Sequence, residues 1–332
     1  MKYTSVGRTG IKVSELCFGA MSFGGDANEE TSKALYNRCL EAGINFFDTA
    51  DMYSHGRSEE ILGKLMKGQR EELVITSKVF FPTSKTPNVN DRGLSRKHIL
   101  TSIDASLKRL DTGYIDFYIL HYFDPTTDIE LTLRTLDDLQ KQGKILYSGV
   151  SNWAAWQIMD ALGISERELL SRFEIMEPLY NLAKRQSEVE LLPLAEAKNI
   201  GVIPYSPLGA GLLTGKYGSA KQPDSGRLVD SELNRLRYQH DLELADRFAA
   251  FANKLGVSPA TLAVAWARSH PAVTAPIIGA RNLAQLEDSL AAADFEMTPE
   301  LRAEISSLSL SPEPATGRSE EKTLGQFGVW QK

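Results

Sequence analysis

The sequence predicts an α/β fold, and within that class a (β/α)8 TIM barrel preceded by a short β-hairpin. Short apolar runs bounded by turn residues, the pattern of buried parallel strands, recur eight times along the 332 residues. Amphipathic helical patterns lie between them, with no break in composition to mark a second domain. No G-x-G-x-x-G follows the first strand, which counts against the doubly wound open sheet that the same alternation could serve.

Residues 2–6 and 10–13 form the expected hairpin, across a Gly-rich turn. The barrel strands are expected at 16–19, 44–48, 73–78, 115–121, 145–151, 173–177, 202–205 and 274–278. Residues 58–67 illustrate the helices. Ser58 is placed to cap the free N–H groups, Glu59 and Glu60 to face the positive end of the dipole, and Lys64 and Lys67 the negative end. Ile61, Leu62, Leu65 and Met66 make one apolar face, and Gly68 stops the helix. Further helices are expected at 30–42, 96–110, 131–142, 154–162, 188–198, 242–255, 258–269, 283–293 and 299–308. Residues 1–332 are thus read as one barrel domain. Three segments fall outside the units: polar residues 82–94, a long Gly-rich, charged connection at 208–240, and a tail at 310–332 that includes Phe327 and Trp330. Long loops of this kind are functional covers or frayed chain.

With 42% hydrophobic and 24% charged residues the chain can bury a large core. The net charge of −6, with Lys and Arg scattered, argues against nucleic acid as the main partner. Cys17 and Cys39 form no CxxC pair or ligand cluster, so neither a metal nor a disulfide is expected. No signal-like run and no bilayer-length apolar stretch stand in the sequence, and a cytoplasmic protein without a membrane partner is expected.

In a parallel barrel the C-terminal strand ends share one rim, and polar residues there are the candidates for chemistry. Closure would gather Asp48, Tyr53, Lys78 and His121. Singly, these read as a turn carboxylate, a loop aromatic, a surface lysine and a core histidine. Together they suit carbonyl reduction, because a carbonyl that receives hydride needs a proton. A tyrosine with pKa of about 10 is a sluggish acid that a neighbouring ammonium would strengthen. The carboxylate holds that ammonium, and the imidazole aims at the reacting oxygen.

The stretch 45–53, the GRSEEIL, ITSKV and YIDFYILH strings, Gly149-Val150-Ser151-Asn152, Tyr205-Ser206-Pro207-Leu208 and Ile278-Gly279-Ala280-Arg281 resemble the aldo-keto reductase superfamily in order and spacing. The resemblance runs from about residue 2 to 294 and implies NADP(H), with NAD(H) as the alternative, at the barrel rim. It also implies a small carbonyl or alcohol substrate. By resemblance, Ser151 and Asn152 would bind the carboxamide and Tyr205 would stack on the nicotinamide. Gly19, Ala20 and Met21 would lie by the ribose, and Asp48 also borders the cofactor. Ser206, Leu208, Gly209, Leu212 and Lys216 would cover the pyrophosphate, making 208–240 a cofactor cover. Gly279, Ala280 and Arg281 precede a helix, where Arg281 could fork onto a 2′-phosphate, and Gln285 and Asp288 would face the adenosine. Tyr53, His121, Met52 and Tyr122 are the candidate substrate contacts, with Ser54, His55 and the 82–94 loop nearby.

Two positions depart from the family pattern. Ser289 stands where asparagine is frequent, and Glu177 where glutamine is frequent. An ionised Glu177 at the ring would favour the cationic, oxidised nicotinamide; alternatively it turns away towards a cation. Two rival functions stay open: a redox-sensing regulatory subunit like the potassium-channel β-subunits, and an aldolase using Lys78 as a Schiff base. The sequence does not fix the substrate or the oligomeric state.

Overall fold

The computed structural model describes residues 1–317, so the expectations for Phe327 and Trp330 lie outside the described residues. Strands β1 (Tyr3–Ser5) and β2 (Lys12–Ser14) form the antiparallel hairpin. The barrel strands are β3 (Cys17–Gly19), β4 (Phe46–Asp48), β5 (Val74–Val79), β6 (Ile115–Leu120), β7 (Ile145–Ser151), β8 (Phe173–Glu177), β9 (Gly201–Val202) and β10 (Ile277–Ile278). They form a parallel sheet in the order β10-β3-β4-β5-β6-β7-β8-β9. Backbone bonds from Thr274 N and Ala275 N to Val202 O (2.8 and 3.3 Å) and from Ile277 N to Pro204 O (2.9 Å) join its two ends. The sheet closes as the expected barrel.

Helices α1 (Glu29–Glu41), α2 (Arg57–Leu65), α3 (Arg96–Leu110), α4 (Ile129–Lys141), α5 (Ala155–Glu168), α6 (Leu191–Lys198), α9 (Leu242–Lys254), α10 (Pro259–Arg268) and α11 (Leu283–Leu290) follow the strands, and α12 (Pro299–Ser306) comes last. Between β9 and α9 stand two more, α7 (Arg227–Asp230) and α8 (Glu232–Tyr238). Side chains alternate along each strand, so the core forms two shells. Cys17, Phe46, Phe117, Ile119, Ile175 and Ile203 fill the barrel, and the hairpin's Val6 and Val13 join that same cluster. Phe18, Phe47, Ile75, Tyr118 and Met176 point outward under the helices.

Several expectations change in detail. Ser58 does not cap α2. The helix starts at Arg57 after Gly56 in a left-handed conformation (φ 89°), and Ser58 is buried, donating to Ala20 O at 2.7 Å. Glu59 does lie in the first turn of α2, and there it is fully buried, accepting from Arg109 Nε at 2.6 Å and Ser77 Oγ at 2.5 Å. The last two barrel strands are shorter than expected, because Pro204 and Pro276 offer no N–H to a ladder. Helix α5 runs on to Glu168, ending where Leu169 turns left-handed. The 208–240 connection is not structureless. It contains a short 3-10 turn (Gly209–Thr214) as well as α7 and α8, and Asn181 Nδ2 ties it down by donating to Ser206 O (2.9 Å) and Tyr238 Oη (3.1 Å).

The Arg109–Glu59 pair links α3 to α2 directly behind β5. Removing the guanidinium leaves a buried carboxylate without its cation. Arg109→Met should therefore lower unfolding free energy by about 3–5 kcal/mol, read as a shifted midpoint in urea. A loss well under 1 kcal/mol would contradict that role.

Candidate active site

Strand register sets the centre of the rim. Asp48, last in β4, pairs with Thr76, and Lys78, near the end of β5, pairs with Ile119 of β6. Lys78 Nζ lies 2.6 and 2.7 Å from the two Asp48 oxygens, 3.0 Å from Thr49 O and 3.3 Å from Tyr53 Oη. Thr76 Oγ1 also donates to Asp48. Ser54 and His55 (φ 48° and 56°) and Gly56 are all left-handed, a strained turn that folds the chain sharply just after Tyr53. The Tyr53 and His121 rings meet edge to face at 5.9 Å. All four residues singled out in the sequence therefore converge.

Their electrostatics differ from the simple expectation. Burial alone would push Lys78 down, but Asp48, then Glu177, outweigh it, and its pKa is raised well above the ordinary value. Tyr53 was expected to be made more acidic by that ammonium. Instead desolvation pushes the phenol up, Lys78 offsets only part, and Asp48 and Glu177 add to the rise. The resting side chain is a firmly protonated phenol beside a permanent cation. His121 moves the other way, down to about 3, through burial and then Lys78. Its Nδ1 is buried without a partner among the described residues.

A second set of side chains forms a hydrogen-bonded arc beside this centre. Ser151 Oγ donates to Glu177 O (2.9 Å). Asn152, left-handed at φ 59°, donates to His121 O (3.1 Å) and Ser151 Oγ (3.0 Å) and accepts from Tyr205 Oη (2.8 Å). Glu177 Oε2 lies 3.4 Å from Lys78 Nζ and is buried without a hydrogen bond. Gly19 pairs with Asp48 in the ladder, and Ala20 and Met21 follow in a short 3-10 turn with Met21 half-exposed.

Beyond Tyr205 the backbone turns left-handed at Ser206, Gly209, Ala210, Gly211 and Gly215, in a run broken by Leu208 and Leu212. Such turns aim successive N–H groups at one point and suit an anion. The Leu212 side chain is buried in the core, so only its backbone is available there. Half-buried Lys216 is pushed down, by desolvation and then by the charges of Arg281 and Arg227. None of these three cations has a salt-bridge partner among the described residues. Ser22 Oγ holds Ala280 O at 2.7 Å, which fixes the Gly279–Ala280 turn. Gln285 Oε1 accepts from Arg281 N (3.0 Å), and Asp288 is exposed on the same helix, α11, while Ser289 is buried beneath it. The sequence-selected positions thus fall into two groups, one around Lys78 and one around Lys216 and Arg281.

Unpartnered Glu177 Oε2 and His121 Nδ1 at one end, and at the other three cations without a salt bridge, where Asp230 acts on Lys216 only after the repulsion of Arg281 and Arg227, fit a dinucleotide with a ring amide and phosphates. Some contributors were not singled out in the sequence. Thr49 and Thr76 complete the shell around Lys78 and Asp48, and Arg227 joins the cation cluster. Phe81 meets His121 at 5.2 Å, with Phe80 and half-exposed Tyr122 packed against it. The Phe80-Phe81 pair ending the third barrel strand was the available signal. A separate groove of about 550 Å³ lies beside the rim, lined by Trp153, Leu179, Arg185, Leu191 and Leu310 among others, and it touches the arc through Asn152 and Glu177.

The family model described as the aldo/keto reductase family matches residues 15–309. The chain is 38% identical to a probable voltage-gated potassium channel subunit beta from Oryza sativa subsp. japonica, over 91% of this chain and 94% of the relative. It is 37% identical to the oxidoreductase YrpG of Bacillus subtilis, over 91% and 94%. It is 34% identical to the versiconal hemiacetal acetate reductase of Aspergillus parasiticus, over 90% and 94%.

With its pKa held near 3, His121 should stay neutral throughout the physiological range. Nitrogen-15 NMR of the histidine rings should find that the imidazole assigned to His121 does not titrate between pH 5 and 8, as for His270, which burial pushes down to about 4. Normal titration of His121 in that window would overturn this picture of the site.

Proposed function

Because the chain belongs to the aldo/keto reductase family, we propose that it is an NADP(H)-dependent oxidoreductase interconverting an aldehyde or ketone and its alcohol. The single observation that carries the reading is the Tyr53 hydroxyl, 3.3 Å from an ammonium that Asp48 clamps with both oxygens. The nicotinamide, when bound, supplies or accepts the hydride. Tyr53 supplies the proton that the carbonyl oxygen takes up as its double bond is reduced. A neutral phenol is the right resting form for that task, and Lys78 stabilises the phenolate left behind. Neutral His121 donates a hydrogen bond to the same oxygen without competing as an acid. Solvent then returns a proton to Tyr53, and in the oxidative direction each transfer reverses.

Glu177, Ser151, Asn152 and Tyr205 would hold the nicotinamide end, with Gly19, Ala20 and Met21 beside the ribose. Ser206, Leu208, Gly209, Leu212 and Lys216 would line the pyrophosphate, and Gly279, Ala280, Arg281, Gln285 and Asp288 the adenosine end. Lys216, Arg227 and Arg281, none of them in a salt bridge among the described residues, favour NADP(H) over NAD(H), since a 2′-phosphate adds charge where cations gather. Phe80, Phe81 and Tyr122 beside His121 favour a carbonyl carried on a flat, apolar body, with Met52 kept as a candidate contact from the sequence.

The similarity to a channel subunit beta supports a second reading, a redox-sensing regulatory subunit that uses the same site. A Schiff-base role for Lys78 is disfavoured, since that chemistry needs a neutral amine and this one is held as an ammonium.

Tyr53→Phe should lower carbonyl turnover by roughly 10²- to 10⁴-fold while NADPH still binds, as nicotinamide absorbance and fluorescence titration would report. Near-normal turnover would contradict the proton-donor role, and no turnover in the unmutated protein across an aldehyde panel would favour the regulatory reading. Arg281→Ala should weaken NADPH by about 10-fold or more and leave NADH nearly unchanged. Equal losses for both would remove the 2′-phosphate assignment.

A further inference from the structure

Glu177 is a buried acid that the hydride and proton transfers above leave without a task. It ends β8 on the same face as Ile175, which lies inside the barrel, so its side chain turns in towards Lys78. An ammonium has three hydrogens to give. Those of Lys78 are taken by Asp48, Thr49 O and Tyr53, so Glu177 Oε2, at 3.4 Å, receives the charge of Lys78 but no hydrogen bond from it. The cluster therefore holds two carboxyl groups around one cation, all almost fully buried.

The titratable groups whose charge acts on Glu177 come from four strands and the turns after them. They are Cys17 on β3, Asp48 on β4, Tyr53 after β4, Lys78 on β5 and Tyr205 after β9. Cys17, Tyr53 and Tyr205 are each pushed up, chiefly by burial, and stay neutral at physiological pH. Asp48 and Lys78 neutralise each other. An ionised Glu177 would then be one excess negative charge in a dry site. Burial, and next the Asp48 charge, push its carboxyl well above the usual range, and Lys78 offsets only part. The oxidised nicotinamide ring carries one positive charge and the reduced ring carries none. A glutamine in this place would be indifferent to that difference.

Resting on the nicotinamide reading above, we propose that Glu177 couples coenzyme redox state to a proton. It is a neutral acid when the site is empty or holds the reduced ring, and it releases its proton to solvent when the oxidised ring binds. The carboxylate formed then makes the cluster neutral again, with the ring cation as its partner. Glu177 is thus a specificity-determining residue for the oxidation state of the coenzyme, and its influence grows with pH.

The sign follows from linkage. Between the low pKa of Glu177 beside the cation and its raised pKa in the empty site, binding of the oxidised form releases one proton. Affinity for NADP+ relative to NADPH should therefore rise with pH by up to about tenfold per unit in that window. The 2′-phosphate titrates in both coenzymes and cancels in the ratio.

Fluorescence titration with NADP+ and NADPH from pH 6 to 9 tests this. The ratio of their dissociation constants should slope in the unmutated protein and in Tyr53→Phe, and be flat in Glu177→Gln. Independently of any variant, mixing the protein with NADP+ in weak buffer should release more protons to a pH dye than mixing it with NADPH, by up to one per site. If both coenzymes bind with a pH-independent ratio, or if Glu177→Gln keeps the slope, the inference is overturned and the functional reading survives. If neither coenzyme binds, the functional reading fails and takes the inference with it.

Discussion

The ion pair between Lys78 and Asp48, closed inside the barrel mouth, is the interaction on which the rest of the site depends. A lone ammonium in that position would lose its proton, because desolvation penalises the charged form by several kcal/mol. Asp48 reverses the balance by meeting Nζ with both oxygens, and Thr76 and Thr49 satisfy what remains. Replacing such a pair with apolar side chains is often neutral or favourable for stability, so its presence is better explained by chemistry than by folding. What it secures is a cation that cannot leave, at hydrogen-bond distance from a phenol.

The barrel positions that pair through backbone register rather than through flexible side chains. Asp48 and Lys78 lie on adjacent strands, and a slip of one residue would turn either into the helix layer. Behind β5, Ser77 points outward and donates to Glu59, which Arg109 neutralises. The same strand therefore carries a buried charge network on each face: a functional one inside and a structural one outside. Asp51 belongs to the outer network. Both of its oxygens lack hydrogen-bond partners among the described residues, and burial, then Glu59, push its carboxyl well above the usual range.

The strands were legible because a strand buried on both faces reads as a short apolar run whatever its neighbours do. The polar residues that end those runs were legible for the same reason, since Asp48, Lys78 and His121 stand out against the apolar stretch before them. What failed depended on contacts distant in sequence. Ser58 has the ideal composition for a cap, but Ala20 O and Thr49, well upstream, claim its hydroxyl. Glu59 does complement the start of its helix, but its burial against Arg109, 50 residues on, lies outside the local pattern. Residues 208–240 read as loop because the local pattern is polar and Gly-rich, yet Asn181 and Lys184 supply anchors from another unit. The tuning of Tyr53 was argued from one neighbour; the outcome is set by burial, which no sequence displays.

The two ends of the site divide its electrostatics in a way that the net charge conceals. The chain carries −6 overall, so its far field repels an anionic ligand. Lys216, Arg227 and Arg281 concentrate positive charge beyond β9 and β10, offset in part by Asp230 and without a salt bridge among the described residues, and the turns between Ser206 and Gly215 add N–H groups there. At the other end Glu177 and Asp48 share one lysine. A ligand with phosphates at one end and a flat, potentially cationic ring at the other is favoured in one orientation only; reversed, its phosphates would meet the carboxyl groups. On the proposed reading, charge would set the orientation, and the arc of Ser151, Asn152 and Tyr205 would need only to trim the ring's position against Tyr53. A single glutamate in place of an amide then matters more than its size suggests, because it is the one group at that end whose charge is free to follow the ligand's.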